Sequence, residues 1–397
     1  MRVSSPTSSP RDTLDVKVLR AAGLIARVAS LVYVLRALTR GGMSAPPVAI
    51  PTGTTDTPRT ISIVVPARNE ATRLSPLLEA LAEMGGAGFV TEVIVVDDGS
   101  TDDTASIAST GGARVLHAGP VPAGWLGKAW AVEQGVRAST GQWVVTFDAD
   151  ARPAVSLPRA AVDRCVADRI DLLTLAPKID CPNWAAAWLH PSMLTTLVFR
   201  FGRPGVDPRP GRQLANGQCM VFRRDWFIEV GGFGTACGAS EEDVAFARMV
   251  ARRGHRALFL DASELLMVRA YEGFGETWRD WGRSIGLTSV TSPTQRFVDV
   301  GVLACTMPLP WVRLAVRRLD IVDAITIACR LGTLVGTRHT YSTPAHDAGT
   351  SVAYWLSPLA DSFAWLSVAI GSIPMHRTWR GRPIVTRRRA PARNVGR

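Results

Sequence analysis

Residues 61–71 read ISIVVPARNEA and residues 93–104 read VIVVDDGSTDDT. Each stretch opens on apolar, largely β-branched residues without the polar alternation of a half-exposed strand, and each ends abruptly on charge. That pattern predicts strands buried on both faces. Arg114–Leu116 and Trp143–Phe147 are two further short runs of the same kind. Between the four lie stretches with helical patterning, Arg73–Met84, Thr101–Ser109 and Lys128–Ala138. Strands alternating with helices of this length imply βαβ units, hence an α/β fold around a mostly parallel sheet flanked by helices. Ser100–Asp103 has the form of a capping box at the start of the second helix.

Ligands of open α/β sheets bind beyond the carboxyl ends of the strands. The residues at those ends are Pro66, Ala67, Arg68, Asn69 and Glu70 after the first strand, Asp97 and Asp98 after the second, and Asp148 and Asp150 after the fourth. Four aspartates at two strand ends are costly through mutual repulsion and call for a cation. Oxygen ligands suit a hard divalent ion such as Mg²⁺, which uses one or two carboxylates together with substrate phosphates. The residues therefore predict a nucleotide diphosphate held through a metal on Asp148 and Asp150, with Asp97 or Asp98 accepting from base or ribose. A dinucleotide site would need GxGxxG after the first strand, and PARNEA contains no glycine; a P-loop is excluded for the same reason.

The chain has 397 residues and a formal charge of +11, which on its own suggests nucleic acid. Its distribution says otherwise. Residues 60–290 carry 23 Lys and Arg against 26 Asp and Glu, so the basic excess lies entirely in the flanks. Four segments follow: a basic amphipathic helix and linker over 1–59, the α/β domain over 60–290, a hydrophobic helical region over 291–376, and an Arg-rich tail over 377–397. In the first, Lys17, Arg20 and Arg27 share one face of an otherwise apolar helix, the pattern of an interfacial helix. In the third, Ala348 to Met375 contains one charge, Asp361, and has the length of a bilayer span. The tail that follows has eight Arg and no acid, as expected of a cytoplasmic segment drawn to anionic lipid. Together the flanks predict a protein at the cell membrane, its catalytic domain on the cytoplasmic side, with no nucleic-acid partner. The six cysteines form no CxxC pair and read as reduced, mostly buried thiols.

The series VVPARNEA, VVDDGSTDDT, GWLGKAWA, FDAD and SEED, in that order over roughly Thr60 to Leu287, resembles the inverting family 2 glycosyltransferases of GT-A fold. GWLGKAW, the apolar C-terminal region and TWRGR resemble the membrane-associated branch, which includes hopanoid- and carotenoid-associated enzymes. The resemblance implies that Pro66, Ala67, Arg68, Glu70, Asp97, Asp98, Lys128 and Asp148 bind the nucleotide-sugar donor. It implies that Asp148 and Asp150 meet a divalent metal, Mg²⁺ or Mn²⁺. Asp243 would be the catalytic base with Glu242 in support, since inversion by single displacement needs one carboxylate to take the acceptor proton. Gln218, Trp281 and Arg283 fall on the acceptor side. The expected reaction is transfer of a hexose, UDP favoured over GDP as carrier, to a hydroxyl of a lipid-like acceptor.

Processive polysaccharide synthases carry QxxRW after the base; WRDWGR at 278–283 departs from it, which argues against polymer synthesis. Trp278, Trp281 and Ile285, at i, i+3 and i+7, fit an interfacial helix or core packing equally. Trp184 and Trp188 read as core or as a lipid-facing lid. GRSIG at 282–286 matches a hydrolase elbow only by spelling, because no strand precedes it. The six histidines have no mutual spacing for a metal or a triad. Two other classes compete. A GT-A-like nucleotidyltransferase would open with a Gly-rich, Arg-containing loop in place of PARNEA. A non-catalytic membrane protein with a degenerate transferase domain would have lost Asp98, Asp150 or Asp243.

Overall fold

The computed structural model describes residues 10–40, 45–49, 59–86, 89–206, 209–271, 273–342, 348–373, 377–379 and 382–384. The four apolar runs form β1 (Ile61–Ala67), β2 (Val90–Asp97), β3 (Arg114–His117) and β4 (Trp143–Phe147), and β5 (Ala151–Pro153) follows at once. The later strands are β6 (Leu172–Ala176), β7 (Lys178–Asp180), β8 (Cys219–Arg223), β9 (Ala257–Asp261), β10 (Leu266–Arg269) and β11 (Tyr341–Ser342). Helices α1 (Pro10–Thr39), α2 (Ser75–Gly86), α3 (Thr104–Thr110), α4 (Gly127–Ala138), α5 (Leu157–Ala167), α6 (Trp184–Phe201), α7 (Arg224–Glu229) and α8 (Glu242–Arg252) accompany them.

Seven strands form the main sheet in the order β3-β2-β1-β4-β8-β6-β9. β8 runs antiparallel to both neighbours and the other pairings are parallel, so the sheet is mixed and mostly parallel, as the sequence predicts. A smaller sheet, β11-β7-β10-β5, lies beyond it. The pleat explains the unbroken apolar runs. Ile61, Ile63 and Val65 join the core under α2 and α5, while Val64 between them joins the core under α4, α7 and α8. Both faces are covered, so the runs are apolar with few exceptions, and buried Ser62 and Thr146 are hydrogen-bonded, to the Glu92 carboxylate and to the Met220 amide.

The helix after β2 begins at Thr104, and the expected capping box does not form: the cap residue Asp103 makes no side-chain hydrogen bond. The polar groups of that loop are used across the cleft. Ser100 Oγ accepts from the Asn69 amide at 3.0 Å, and Asp102 accepts from the amides of Ala71 and Thr104. The loops after β1 and β2 are thereby locked together. Part of the expected linker is also stitched down, with the Val48 amide donating to the Asp261 carbonyl at 2.8 Å.

Helices α9 (Phe274–Glu276), α10 (Gly282–Ile285), α11 (Pro293–Thr306), α12 (Pro308–Ala315), α13 (Ile321–Gly336), α14 (Ala348–Trp355) and α15 (Asp361–Gly371) pack with α1 and α6 beside the sheet domain. Here three expectations change. The run from Ala348 is not one spanning helix: α14 and α15 are separated by a 3-10 turn, Ser357–Ala360. Pro358 removes an amide there. Asp361 is 1% exposed and paired with Arg330 of α13 at 3.0 Å, so it belongs to a protein interior. The basic face of α1 is incomplete, because Arg27 is buried against Asp320 and Asp323 while Lys17 and Arg20 are exposed. Trp184 is 63% exposed and is not core, whereas Trp188 packs on Phe274 and Phe363.

Two stretches, Lys17–Thr39 and Pro293–Ala315, are long and apolar enough to cross a bilayer. Among the described residues, the helical region leaves many large apolar side chains exposed, among them Leu19, Ile25, Phe297, Val312, Ile321 and Val335. A ribbon of β12 (Arg377–Trp379) and β13 (Arg382–Ile384) follows. The side chains of the Arg-rich tail lie outside the described residues.

Candidate active site

The carboxyl ends of β1, β2 and β4 open on a cavity of about 1810 Å³. Pro66, Ala67, Arg68, Glu70, Asp98, Lys128, Asp148, Asp150, Gln218, Glu242, Asp243 and Trp281 all line it. Residues from seven separate stretches of sequence thus meet in one place. Asp97 does not join them: it is turned away, accepting from the Ser100 amide at 3.0 Å and lying 3.2 Å from His117 Nδ1. Asp98, one pleat further, faces the cleft, and Arg68 donates to its carbonyl at 2.7 Å. Of the two expected acceptors, Asp98 lines the cavity and Asp97 does not.

Lys128 leaves the first turn of α4 and reaches both oxygens of Asp148, at 2.7 and 2.8 Å. Asp148 is fixed in turn by its own amide, which donates to the Gln218 carbonyl at 3.0 Å. Asp243 lies in the first turn of α8, where its two oxygens accept from the amides of Gly217 and Val244, each at 2.7 Å. A Cβ placed on Gly217 would stand 3.3 Å from both Asp243 Oδ2 and Lys128 Nζ. The glycine therefore lets the Asp243 carboxylate and the Lys128 ammonium approach one strand end together.

The charges perturb one another in consistent directions. Burial by itself would lower the Lys128 ammonium, but Asp148, Glu242 and Asp243 outweigh it and hold it above the ordinary lysine value. Burial and the repulsion of Asp148 raise Asp150 to about 6. Burial and the repulsion of Asp243 raise Glu242 to about 7. Asp243 is raised by burial, with Lys128 and its two amide donors opposing. Acids raised in this way, side by side in a cleft, are a mark of catalytic sites.

Residues 62–231 match the family model described as glycosyl transferase family 2. That stretch, from β1 through α7, is a family 2 glycosyltransferase domain; α8, β9 and β10 lie beyond the match. Among curated proteins it is similar to the 4,4'-diaponeurosporenoate glycosyltransferase of Staphylococcus haemolyticus (strain JCSC1435), 37% identical over 97 residues, 24% of this chain and 25% of that protein. The enzyme of the same name from Staphylococcus aureus (strain USA300) is 37% identical over 93 residues, 23% of this chain and 24% of the relative. The matched segment spans about a quarter of the length of these relatives. Among solved structures, a mannosyltransferase from Pyrobaculum calidifontis in complex with GDP-Man and Mn²⁺ aligns over 89% of this chain and 96% of its own, at 17% identity and TM-score 0.49. Glucosyl-3-phosphoglycerate synthase from Mycobacterium tuberculosis, in complex with Mn²⁺, UDP and glucosyl-3-phosphoglycerate, aligns over 58% and 78% at 23% identity and TM-score 0.40.

Not every residue expected of the glycosyltransferase domain takes the role given above. Gln218 lines the cavity, but its Oε1 accepts from Asn216 Nδ2 at 3.0 Å, so Asn216 shares any part it plays. The side chain of Arg283 lies outside the described residues. Trp278, Trp281 and Ile285 pack in an apolar cluster with Leu189 and Met193 of α6, which resolves their reading toward core. GRSIG lies on and after α10, inside the helical region, and makes no elbow. Sequence reasoning missed His190, which lines the cavity, stacks on Trp281 at 3.9 Å and bonds Tyr341 through Nδ1 at 2.9 Å. Nothing local marks it; its partners lie 91 and 151 residues away in the chain.

Proposed function

We propose that this protein transfers a hexose from a nucleotide diphosphate sugar, UDP favoured as carrier, to a hydroxyl of a lipid-like acceptor, with inversion at the anomeric carbon. One observation carries the reading: Asp98, Asp148 and Asp150 on the strand ends and Glu242 and Asp243 on α8 line one cavity, with Lys128 between them.

In this reading Asp98 and Arg68 hold the nucleoside, and Lys128 faces the diphosphate. Asp243 Oδ takes the acceptor proton as the acceptor oxygen bonds the anomeric carbon. The anomeric carbon–oxygen bond to the diphosphate breaks, and the nucleoside diphosphate leaves with the electron pair. The two amides on Asp243 aim its carboxylate while leaving lone pairs for the proton. Among the described residues no three His, Cys, Asp or Glu side chains form a ready-made cage for a metal. Asp148 and Asp150 nevertheless fit a Mg²⁺ or Mn²⁺ ion that brings phosphate ligands with it, and Asp150 Oδ1 is buried without a hydrogen-bond partner. Such an ion would supply charge stabilisation to the departing diphosphate.

The lipid-like acceptor is supported by the exposed apolar helices and by relatives named as glycosyltransferases of 4,4'-diaponeurosporenoate. The same helices support attachment to a membrane, and the eight arginines of the C-terminal tail support a cytoplasmic catalytic domain on an anionic surface. Nucleotide release from UDP-glucose, UDP-galactose, UDP-N-acetylglucosamine and GDP-mannose, with Mn²⁺ or Mg²⁺ and with EDTA, tests the reading. Slow, metal-dependent release from one UDP-hexose is expected. Absence of release from all four, with and without added membrane lipid, would overturn it.

A further inference from the structure

The cavity that holds the carboxylates does not end at the sheet. Its wall continues through Leu197, Leu194 and His190 of α6 and through Gly332, Thr333 and Gly336 of α13. Residues 190 to 197 cover about 10 Å of helix at 1.5 Å per residue. At one end of that wall Leu197 packs in a cluster with Val244, the neighbour of Asp243. At the other, Leu194 packs in a cluster with Leu334 and Tyr341. One helix therefore runs from the base to α13.

The polar groups along this wall are already engaged. His190 is stacked on Trp281 and bonded to Tyr341, and burial drives it down to about 3, so its ring is neutral. Thr333 Oγ1 donates to the Cys329 carbonyl at 2.8 Å. What Leu194, Leu197, Gly332 and Gly336 leave for a ligand along this wall is mostly carbon surface. At α13 the wall opens: among the described residues, a Cβ on either Gly332 or Gly336 would meet nothing within 4 Å. Beside that notch, Leu331 and Val335 are 44% and 63% exposed, on the same apolar exterior that bears Ile321 and Ile325. A ligand passing through the notch would go from an apolar exterior to an apolar slot, and a polar one would lose its water without replacement.

We propose that the slot between α6 and α13 holds the apolar chain of the acceptor, that Gly332 and Gly336 form its mouth, and that the acceptor enters sideways from the lipid with its reactive oxygen leading toward Asp243. This rests on the glycosyltransferase reading and adds to it the path and shape of the substrate, an extended hydrocarbon or polyene chain.

Because added side chains at these glycines meet open space, Gly332→Trp and Gly336→Trp should fold and fill the mouth. Gly301→Trp on α11 is the control: a Cβ there also meets nothing, and Gly301 does not line the cavity. The probe is cis-parinaric acid, a straight-chain polyene whose fluorescence rises on burial, titrated into the full-length protein. Saturable binding is expected in the wild type, weakened about tenfold or more by Gly332→Trp and Gly336→Trp, and unchanged by Gly301→Trp. No saturable binding in the wild type, undiminished binding in both mouth variants, or equal loss in the control would each overturn the slot. Metal-dependent donor hydrolysis, measured on the same samples, should be equal in the wild type and Gly301→Trp, and the melting temperatures of the two mouth variants should match the wild type. Absence of hydrolysis from the wild type would bring down the glycosyltransferase reading itself, whatever the probe does.

Discussion

Lys128 is one of three lysines in the chain, and it is the counter-charge that lets Asp148, Glu242 and Asp243 share a cleft. Remove the ammonium and three carboxyl groups face one another; Lys128→Met should lower the melting temperature more at pH 8, above the raised value of Glu242, than at pH 5, below it. Glu242 titrates in the other sense. Its folded value of about 7 stands above the ordinary 4.5, so between those values the folded protein holds a proton the unfolded chain has released. Stability of the metal-free protein should therefore fall as pH rises from about 4.5 to about 7, and Glu242→Gln should flatten that part of the curve. Thermal denaturation in EDTA across the window reads both effects; a curve for Glu242→Gln as steep as the wild type would contradict the assignment. For catalysis the decisive change is Asp243→Asn, which keeps the shape and the Val244 contact but cannot accept the proton. Transfer should drop by about 10²–10⁴-fold while nucleotide affinity, measured calorimetrically, stays the same. The aspartates themselves were legible as strand ends, and the lysine as part of GWLGKAWA. The pairing of Lys128 with Asp148, 20 residues on, was not. Nor was the division of labour in the Asp97-Asp98 pair, because the letters are identical and only the pleat sends one toward His117 and the other into the cleft.

Strands buried on both faces announce themselves, which is why β1, β2 and β4 could be placed to within a few residues, and β4 without error; β3 was placed as closely, but it lies at the sheet edge with no buried residue, against the expectation of burial on both faces. Helix contacts are less visible. Gly135 of α4 lies so close to the sheet that a Cβ there would stand 2.4 Å from Val64 Cγ1 and 2.9 Å from Val96 Cγ2. Overpacking of this kind costs about 1–3 kcal/mol, so Gly135→Ala should lower the urea midpoint even though alanine favours helix. The C-terminal run shows where composition stops informing. Twenty-eight mostly apolar residues fit a bilayer span and two packed helices equally well, and the choice is made by contacts distant in sequence. Asp361 accepts from Arg330 Nε at 3.0 Å, from Ser192 Oγ at 2.6 Å and from Trp311 Nε1 at 3.1 Å, tying α15 to α13, α6 and α12. Asp361→Ala would leave the Arg330 guanidinium buried and unpaired, a loss of about 3–5 kcal/mol in thermal or denaturant unfolding. Replacing both with leucine and methionine should recover most of it, because the fault lies in the orphaned charge. If the single variant is as stable as the wild type, the interior reading of this segment fails.

At the scale of the molecule, the +11 net charge and the apolar composition separate into different places. The glycosyltransferase domain is slightly acidic and gathers its carboxylates in one cavity, while the helical region turns large apolar side chains outward. Part of that surface is on α1: Leu19 is 71% exposed and Ile25 68%, with Lys17 and Arg20 exposed beside them. Farther along, Arg27 fastens α1 to Asp320 and Asp323 at 2.5 and 2.7 Å, so the helix is anchored at one place and offers its apolar side chains elsewhere. Burying an aliphatic side chain of this size is worth about 1.5–3 kcal/mol, so two of them contribute a factor of about 10² or more to partition into lipid. Leu19→Glu with Ile25→Glu should therefore release the protein from sedimenting vesicles, whereas the wild type should remain bound. Vesicles with and without phosphatidylglycerol, at low and at 1 M salt, divide the contributions: screening weakens what Lys17, Arg20 and the tail supply and leaves the apolar part intact. The changed side chains face away from the cavity, so donor hydrolysis should survive in the released protein. Retention of the double variant on neutral vesicles at high salt would move the attachment from α1 to the exposed faces of α11–α15, which border the proposed acceptor mouth.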